Sequence, residues 1–160
     1  MATTRRNYTP GDYDLVVRRS YAGLGLVTES DIPKGVCIIE YFGPQLTPRE
    51  EEISRSRYLF EVTPRKTIDG SLRANKARYI NHSCKGNCEP MIYKGRVYIF
   101  SRRKIKAGEE LGYDYGKDYF DQFIAKHGCL CVKCEPATLA KRRKEAAKAA
   151  KAAAKGAKSI

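Results

Sequence analysis

Short apolar runs separated by turn sequences dominate the chain as far as residue 116. LVVRRS at 15–20 and RYLFEV at 57–62 each predict a strand, and VCIIEYF at 36–42 is a continuous β-prone run typical of a buried strand. MIYKGRVYIFS at 91–101 has alternating apolar residues on both sides of a Lys-Gly pair, which predicts a hairpin. The pattern indicates a mostly β domain of short strands with few helices.

Two short helices are predicted within this β framework. Thr47 is followed by Pro48 and, three residues after the threonine, by Glu50, which predicts a capping box at the start of a helix over 48–56. The segment KDYFDQFIAKHG at 117–128 predicts a second helix, because its apolar residues fall on one side and a glycine ends it.

The composition changes near Pro136, where a mixed sequence gives way to one rich in alanine and lysine. Residues 137–160 carry eight basic side chains against one acid, so +7 of the formal charge of +13 lies there and +6 remains for the preceding residues. Alanine is the best helix former, and lysines spaced three and four apart share one face of a helix. That face comprises Lys141, Lys144, Lys148, Lys151, Lys155 and Lys158.

Two interpretations of this tail remain open. A solvated helix that frays, or a disordered solubility tail, explains the composition without any partner. Alternatively, the lysines lie along the phosphates of DNA. The tail has no aromatic residue and no base-reading motif, so such binding is expected to be non-specific.

Composition restricts the class of protein further. No stretch approaches eighteen apolar residues, so we expect no membrane span, and the N-terminal residues lack the apolar run of a secretory signal. Six cysteines without such a signal indicate reduced thiols or a metal site rather than disulfides. We therefore expect an intracellular protein, and its positive charge predicts a polyanionic partner or acidic surroundings.

Two motifs about thirty residues apart carry the candidate chemistry. RYINHSC at 78–84 places an amide, an imidazole and a thiol within four residues, and ELGYDYG at 110–116 places two phenols on either side of an aspartate. An Asn-His pair by itself is better explained as a hydrogen-bonding pair that stabilises a loop. His82 with Cys84 also allows a zinc or thiol site, but no acid in the sequence is seen to orient them, which argues against a thiol nucleophile.

Two further patterns are typical of ligand sites. Gly23 and Gly25 flank a single residue and would let the backbone approach a ligand closely, although this pattern alone is more often an ordinary turn. Cys129, Cys131 and Cys134 are too close in sequence for comfortable mutual disulfides. Three thiols at this spacing match tetrahedral zinc if a fourth ligand comes from elsewhere.

Together, these motifs resemble those of the SET-domain protein lysine methyltransferases, in their compact stand-alone form with a post-SET zinc motif. The resemblance covers nearly all of residues 14–135. It implies a mostly β fold of short twisted strands with a knot-like crossing. The implied organisation is a SET domain over 14–116, a post-SET zinc segment over 117–136 and a basic, helical Ala/Lys-rich tail over 137–160.

The same resemblance implies roles for individual residues. The residues that would bind S-adenosylmethionine are Gly23, Leu24, Gly25, Arg78, Asn81 and His82. The tyrosines that would lie at the transfer site are Tyr41, Tyr113 and Tyr115. The residues that would line the channel for the substrate lysine are Tyr58, Phe60, Tyr119 and Phe120. Alternation along the predicted strand puts Tyr58 and Phe60 on one face, which is consistent with that role.

The resemblance also implies one structural zinc ion that clamps the C-terminal segment over the active site. The implied ligands are Cys84, Cys129, Cys131 and Cys134. His127 is a competing ligand, whereas Cys37 and Cys88 are expected to be buried thiols.

The implied activity is methyl transfer from S-adenosylmethionine to a lysine of a histone or histone-like basic protein, mainly to the monomethyl stage because of Tyr113. Another protein, such as a ribosomal one, is the alternative substrate. From a different class, the chain would be a zinc-stabilised nucleic-acid-binding protein with a vestigial methyltransferase site; the intact Asn81, His82, Tyr41 and Tyr115 argue against decay. The expected location is chromatin or the nucleus in a eukaryote or a host cell, and the cytoplasm or nucleoid in a bacterium.

Overall fold

The computed structural model describes residues 5–157 of the chain. These fall into two compact units, Met1–Asp114 and Tyr115–Ile160. In the part of the chain so described, no helix is both long and apolar enough to cross a membrane.

The described residues of the first unit form ten short strands and one short helix, α1, at Pro48–Ile53. The strands are β1 Leu15–Ser20, β2 Gly23–Thr28, β3 Cys37–Tyr41, β4 Gln45–Leu46, β5 Leu59–Thr63, β6 Lys66–Asp69, β7 Asn81–His82, β8 Cys88–Tyr93, β9 Arg96–Ser101 and β10 Gly112–Tyr113. A 3₁₀ turn at Lys76–Tyr79 precedes β7. The mostly β prediction is confirmed.

The strands form four small sheets. β1 pairs with β2, β3–β9–β8 and β4–β6–β5 are three-stranded antiparallel sheets, and β7 pairs in parallel with β10. Sheets of two or three strands cannot bury much surface alone, so they depend on packing against one another. The fully buried side chains include Leu26, Ile32, Ile38, Ile80, Val97, Ile99, Ile105 and Leu111.

Two local predictions are confirmed in detail. β8 and β9 form the expected hairpin, whose turn residues Lys94 and Gly95 have φ of 48° and 73°. Positive φ at both turn positions matches the twist of the flanking strands. The capping box is also present, with the Thr47 side chain accepting from the Glu50 backbone and the Glu50 side chain accepting from the Thr47 backbone.

Two predicted boundaries are wrong. The helix expected over 48–56 ends at Ile53, because Ser54 adopts an extended conformation while its N–H bonds the Glu51 carbonyl. The strand expected from residue 57 begins at Leu59. Tyr58 therefore precedes the strand, and strand alternation does not explain its orientation.

The second unit contains α2 at Lys117–Tyr119, a wider helical turn at Phe120–Ile124 and a helix, α3, at Glu135–Ala157. The short helix predicted over 117–128 is present, but it is regular only at Lys117–Tyr119 and continues as the wider turn to Ile124. The Ala125 N–H bonds the Phe120 carbonyl five residues back, 2.8 Å away, which widens the turn. Gly128, with φ of 78°, ends the segment as expected.

The Ala/Lys-rich tail is helical along α3, and the predicted lysine face from Lys141 to Lys155 is exposed. Lys158 lies outside the described residues. The helix continues a turn made by the cysteine segment, since the N–H groups of Cys134 and Glu135 both bond the Cys131 carbonyl. The Thr138 hydroxyl also donates to the Cys129 carbonyl at 2.6 Å.

Candidate active site

The two sequence motifs of the first unit meet, as expected. In the parallel pair of β7 and β10, Asn81 lies beside Gly112 and His82 beside Tyr113. The chain then passes close under β10, and a Cβ added to Gly86 would lie 2.5 Å from the Gly112 carbonyl oxygen. Only glycine fits this crossing without moving backbone.

The buried Asn87 holds the two crossing segments together. Its Nδ2 donates to the Glu110 carbonyl at 2.9 Å, and its Oδ1 accepts from the Gly112 N–H at 3.0 Å. Sequence analysis missed this residue. An asparagine just after an Asn-His-Ser-Cys motif is a weak signal, and its partners lie more than twenty residues away.

The predicted glycine pair lies beside Asn81. Gly23 opens β2 with φ of 101°, and a Cβ added there would meet nothing within 4 Å. The Leu24 side chain is half exposed, and its carbonyl accepts from Asn81 Nδ2 at 2.9 Å. The structure thus brings together four of the six predicted cofactor residues: Gly23, Leu24, Gly25 and Asn81.

A carboxylate that sequence analysis did not single out lies among these residues. Glu110 accepts hydrogen bonds from the Ser20 hydroxyl and from Asn81 Nδ2. It is the first residue of the ELGYDYG motif. Its closeness to Gly25 exists only in the folded chain, so no sequence signal identified it as part of the site.

His82 is buried, with its two ring nitrogens near different groups. Nε2 lies 3.2 Å from the Cys84 sulfur, and Nδ1 lies 3.8 Å from a carboxylate oxygen of Asp114. The fold therefore brings an acid, residue 114, near this pair, at a distance too long for a hydrogen bond. Burial lowers the pKa of His82, while the Asp114 charge opposes that shift. The His82 carbonyl also accepts from the Tyr21 hydroxyl at 2.8 Å.

An aromatic cluster surrounds the buried Tyr41. Its hydroxyl donates to the Tyr58 carbonyl at 2.6 Å, and its ring centroid lies 5.6 Å from that of Phe60. A Cβ added to Gly70 would lie 2.3 Å from the Tyr41 ring and hydroxyl, so the glycine makes room for this phenol. Three residues predicted for transfer and for the lysine channel are thus in contact.

Arg78, which was predicted to bind the cofactor, contacts the same cluster. Its guanidinium carbon lies 4.3 Å from the Tyr58 ring centroid and 4.9 Å from that of Tyr79, and it also donates to the Ser71 carbonyl. Its Nε is buried without a hydrogen-bond partner among the described residues. Contacts of this kind orient Tyr58.

The remaining aromatic residues that were predicted for the site are divided between the two units. Tyr113, in β10, is buried, and its carbonyl accepts from the Ser83 N–H at 3.0 Å. In the second unit, the rings of Tyr115 and Tyr119 meet edge to face with centroids 5.0 Å apart. Tyr119 also packs against Phe123, and Phe120 begins the wider turn of that unit.

The candidate metal ligands also come together. The sulfur atoms of four of the six cysteines lie within 4.8 Å of one another, namely those of Cys84, Cys129, Cys131 and Cys134. Four sulfurs around zinc at about 2.3 Å would be about 3.8 Å apart, so this cluster could hold a zinc ion. Cys37 and Cys88 are buried elsewhere, as expected.

Comparison with known proteins identifies the protein family. Residues 23–116 match the model of the SET domain, and the chain belongs to that family.

The chain is similar to "Histone-lysine N-methyltransferase trr" of Drosophila melanogaster, at 38% identity over 128 residues, which are 72% of this chain and 5% of that protein. It is also similar to "Histone-lysine N-methyltransferase ASHH3" of Arabidopsis thaliana, at 36% identity over 129 residues, 72% of this chain and 35% of that protein. The chain thus spans much less than two thirds of the length of these relatives.

Among solved structures, the chain resembles "ctPRC2 in an autoinhibited conformation bound to S-adenosylmethionine". The TM-score is 0.59 at 32% identity, and the match covers 66% of this chain and 15% of that chain. A humanized mutant of the Chaetomium thermophilum Polycomb Repressive Complex 2 matches with a TM-score of 0.58 at the same identity, over 68% of this chain and 15% of that chain.

Proposed function

We propose that this chain is a protein-lysine N-methyltransferase that uses S-adenosylmethionine and acts on a histone or histone-like basic protein. One observation carries the proposal. The glycine pair of β2, Asn81 and the strand that leads to Tyr113 meet at one place in a chain 36–38% identical to named histone-lysine N-methyltransferases.

The residues of this place fit the cofactor. The open space beside Gly23 admits a ligand against the backbone, and Asn81 adds a carboxamide next to it. Bound S-adenosylmethionine would supply a methyl group attached to a positively charged sulfur, which activates that group for displacement. Asn81 and the backbone around Leu24 would hold the cofactor in one orientation.

The substrate lysine must react as a neutral amine. The pKa of a free lysine is about 10.4, and an aromatic channel lowers it by removing water from the charged form. Tyr41 and Phe60 supply such a surface. The neutral amine would accept the methyl group that S-adenosylmethionine supplies when bound, with the bonding electrons left on sulfur and the surplus proton passing to water.

The tyrosines would orient these groups rather than abstract the proton. A phenol is a poor base at neutral pH, since its pKa is about 10. We assign Tyr115 to weak C–H···O contacts with the transferred methyl group, and Tyr113 to holding a water beside the amine, which favours the monomethyl product.

The four-cysteine cluster supports a structural role for zinc. The metal would hold the C-terminal segment that carries Cys129, Cys131 and Cys134. The exposed lysines of α3 further support non-specific contact with DNA, and hence a location at chromatin or a nucleoid.

Incubation with isotope-labelled S-adenosylmethionine and a panel of histones, bacterial histone-like proteins and ribosomal proteins tests the proposal. We expect label on lysine of a histone or histone-like protein, and none with Tyr115→Phe. Tyr93→Phe is the matched control, because Tyr93 stacks on Tyr8 at 4.0 Å and its ring is retained. Cofactor binding without label on any protein, or equal label with Tyr115→Phe, contradicts the proposed function or the assigned role.

A further inference from the structure

The carboxylate of Glu110 connects the β1–β2 hairpin to Asn81. The Ser20 hydroxyl lies 2.7 Å from both of its oxygens, and Asn81 Nδ2 donates to Oε1 at 2.9 Å. The backbone of Glu110 is itself held, because its carbonyl accepts from Asn87 and the residue bridges to Val27. A carboxylate on so constrained a backbone has a defined position.

This contact determines which way the Asn81 carboxamide faces. Its nitrogen donates to two acceptors, the Leu24 carbonyl and the Glu110 carboxylate, both 2.9 Å away. The reverse orientation would place the Asn81 oxygen against those two acceptors and is therefore unfavourable. With both amide hydrogens so used, Oδ1 is presented as an acceptor beside the glycine pair.

Gly25 provides the space that Glu110 needs. A Cβ added at Gly25 would lie 2.3 Å from Glu110 Oε1 and 2.9 Å from the Ser20 Cβ. The second glycine of the pair thus leaves room for a carboxylate of the protein itself in this position. This differs from Gly23, beside which there is open space.

We propose that Glu110 is a positioning residue for the cofactor, which acts through Asn81. By holding the amide nitrogen, it directs Asn81 Oδ1 toward a ligand that donates a hydrogen bond, such as the ammonium group of S-adenosylmethionine. Ser20 and Gly25 support the carboxylate from the hairpin side. This inference rests on the proposed function, because it takes S-adenosylmethionine as the ligand.

A double-mutant cycle on the zinc-loaded full chain tests the inference. Dissociation constants for S-adenosylmethionine are measured by calorimetry for the unmutated chain, Glu110→Ala, Asn81→Ala and the double variant. Each single variant should bind about tenfold more weakly, as expected for one hydrogen bond. The double variant should bind no more weakly than Asn81→Ala, because Glu110 has nothing left to position.

Two further variants separate geometry from charge and from folding. Glu110→Gln keeps an acceptor for Asn81 and should bind within about threefold of the unmutated chain. Glu109→Ala removes the adjacent carboxylate, which pairs with Arg103 at 2.8 Å, and should leave affinity unchanged.

If Glu110→Ala does not fold, Ser20→Ala and Gly25→Ala take its place in the cycle, with the same expected loss through Asn81.

The outcomes distinguish the two proposals. Three results would each overturn the positioning role while the proposed function stands. They are losses of affinity that multiply in the double variant, an unchanged affinity in Glu110→Ala, and an affinity of Glu110→Gln as low as that of Glu110→Ala. No binding of S-adenosylmethionine by the folded, zinc-loaded, unmutated chain would overturn both.

Discussion

Asn87→Ala should destabilise the crossing on which the candidate site is built. The substitution removes the donor to the Glu110 carbonyl and the acceptor of the Gly112 N–H. Leaving a buried backbone group without its partner costs about 1–3 kcal/mol. Because the Gly112 bond is buried and the Glu110 bond only partly so, we expect a loss of about 2–4 kcal/mol in the free energy of unfolding.

The assay is urea denaturation at a constant zinc concentration, with amide hydrogen exchange read at Gly112. A loss of this size corresponds to a Tm lower by about 6–12 °C for a chain of this length. Asn7→Ala is the matched control, since Asn7 is exposed and its side chain accepts only from the Thr9 backbone among the described residues. It should change the free energy by less than about 0.5 kcal/mol. If Asn87→Ala unfolds at the same urea concentration as the control and Gly112 remains protected, Asn87 does not hold the crossing.

Three other predictions test the metal cluster, the tail and the product. In thiol titration, removal of the metal by a chelator should make four cysteines reactive. Cys37 and Cys88 should react only after unfolding, because burial raises the pKa of their thiols to about 11 and about 12. Six reactive thiols in the folded, metal-loaded protein would refute this. Truncation after Pro136 should leave cofactor affinity intact but weaken DNA binding and flatten its salt dependence, and equal affinity with and without the tail would reject the tail's role. Tyr113→Phe should shift the products toward di- and trimethyl-lysine. The lost hydrogen bond to the water beside the amine, about 0.5–1.5 kcal/mol, changes a rate by up to about tenfold. Abundant trimethyl-lysine from the unmutated chain, measured by mass spectrometry, would contradict this assignment.

Features that depend on neighbouring residues could be read from the sequence. The Lys-Gly turn, the capping box of α1 and the helical tail all depend on contacts within a few positions of the chain. The metal-ligand types were also predictable, because thiols at close spacing favour zinc over disulfides, and their sulfurs do lie together. Helix and strand ends were less predictable, since single bonds such as that from Ser54 to Glu51 decide them.

The sequence by itself therefore determined the motifs, through local patterns and residue types, and the resemblance of those motifs to the SET-domain family implied the class of chemistry. Only the tertiary structure showed that Asp114 lies beside His82, that Asn87 joins the crossing segments and that Glu110 holds Asn81. Each of these contacts joins residues separated by more than twenty positions along the chain. Periodicity and propensity describe the local conformation of a segment, whereas the partner of a buried polar side chain depends on which distant segments the packing brings together.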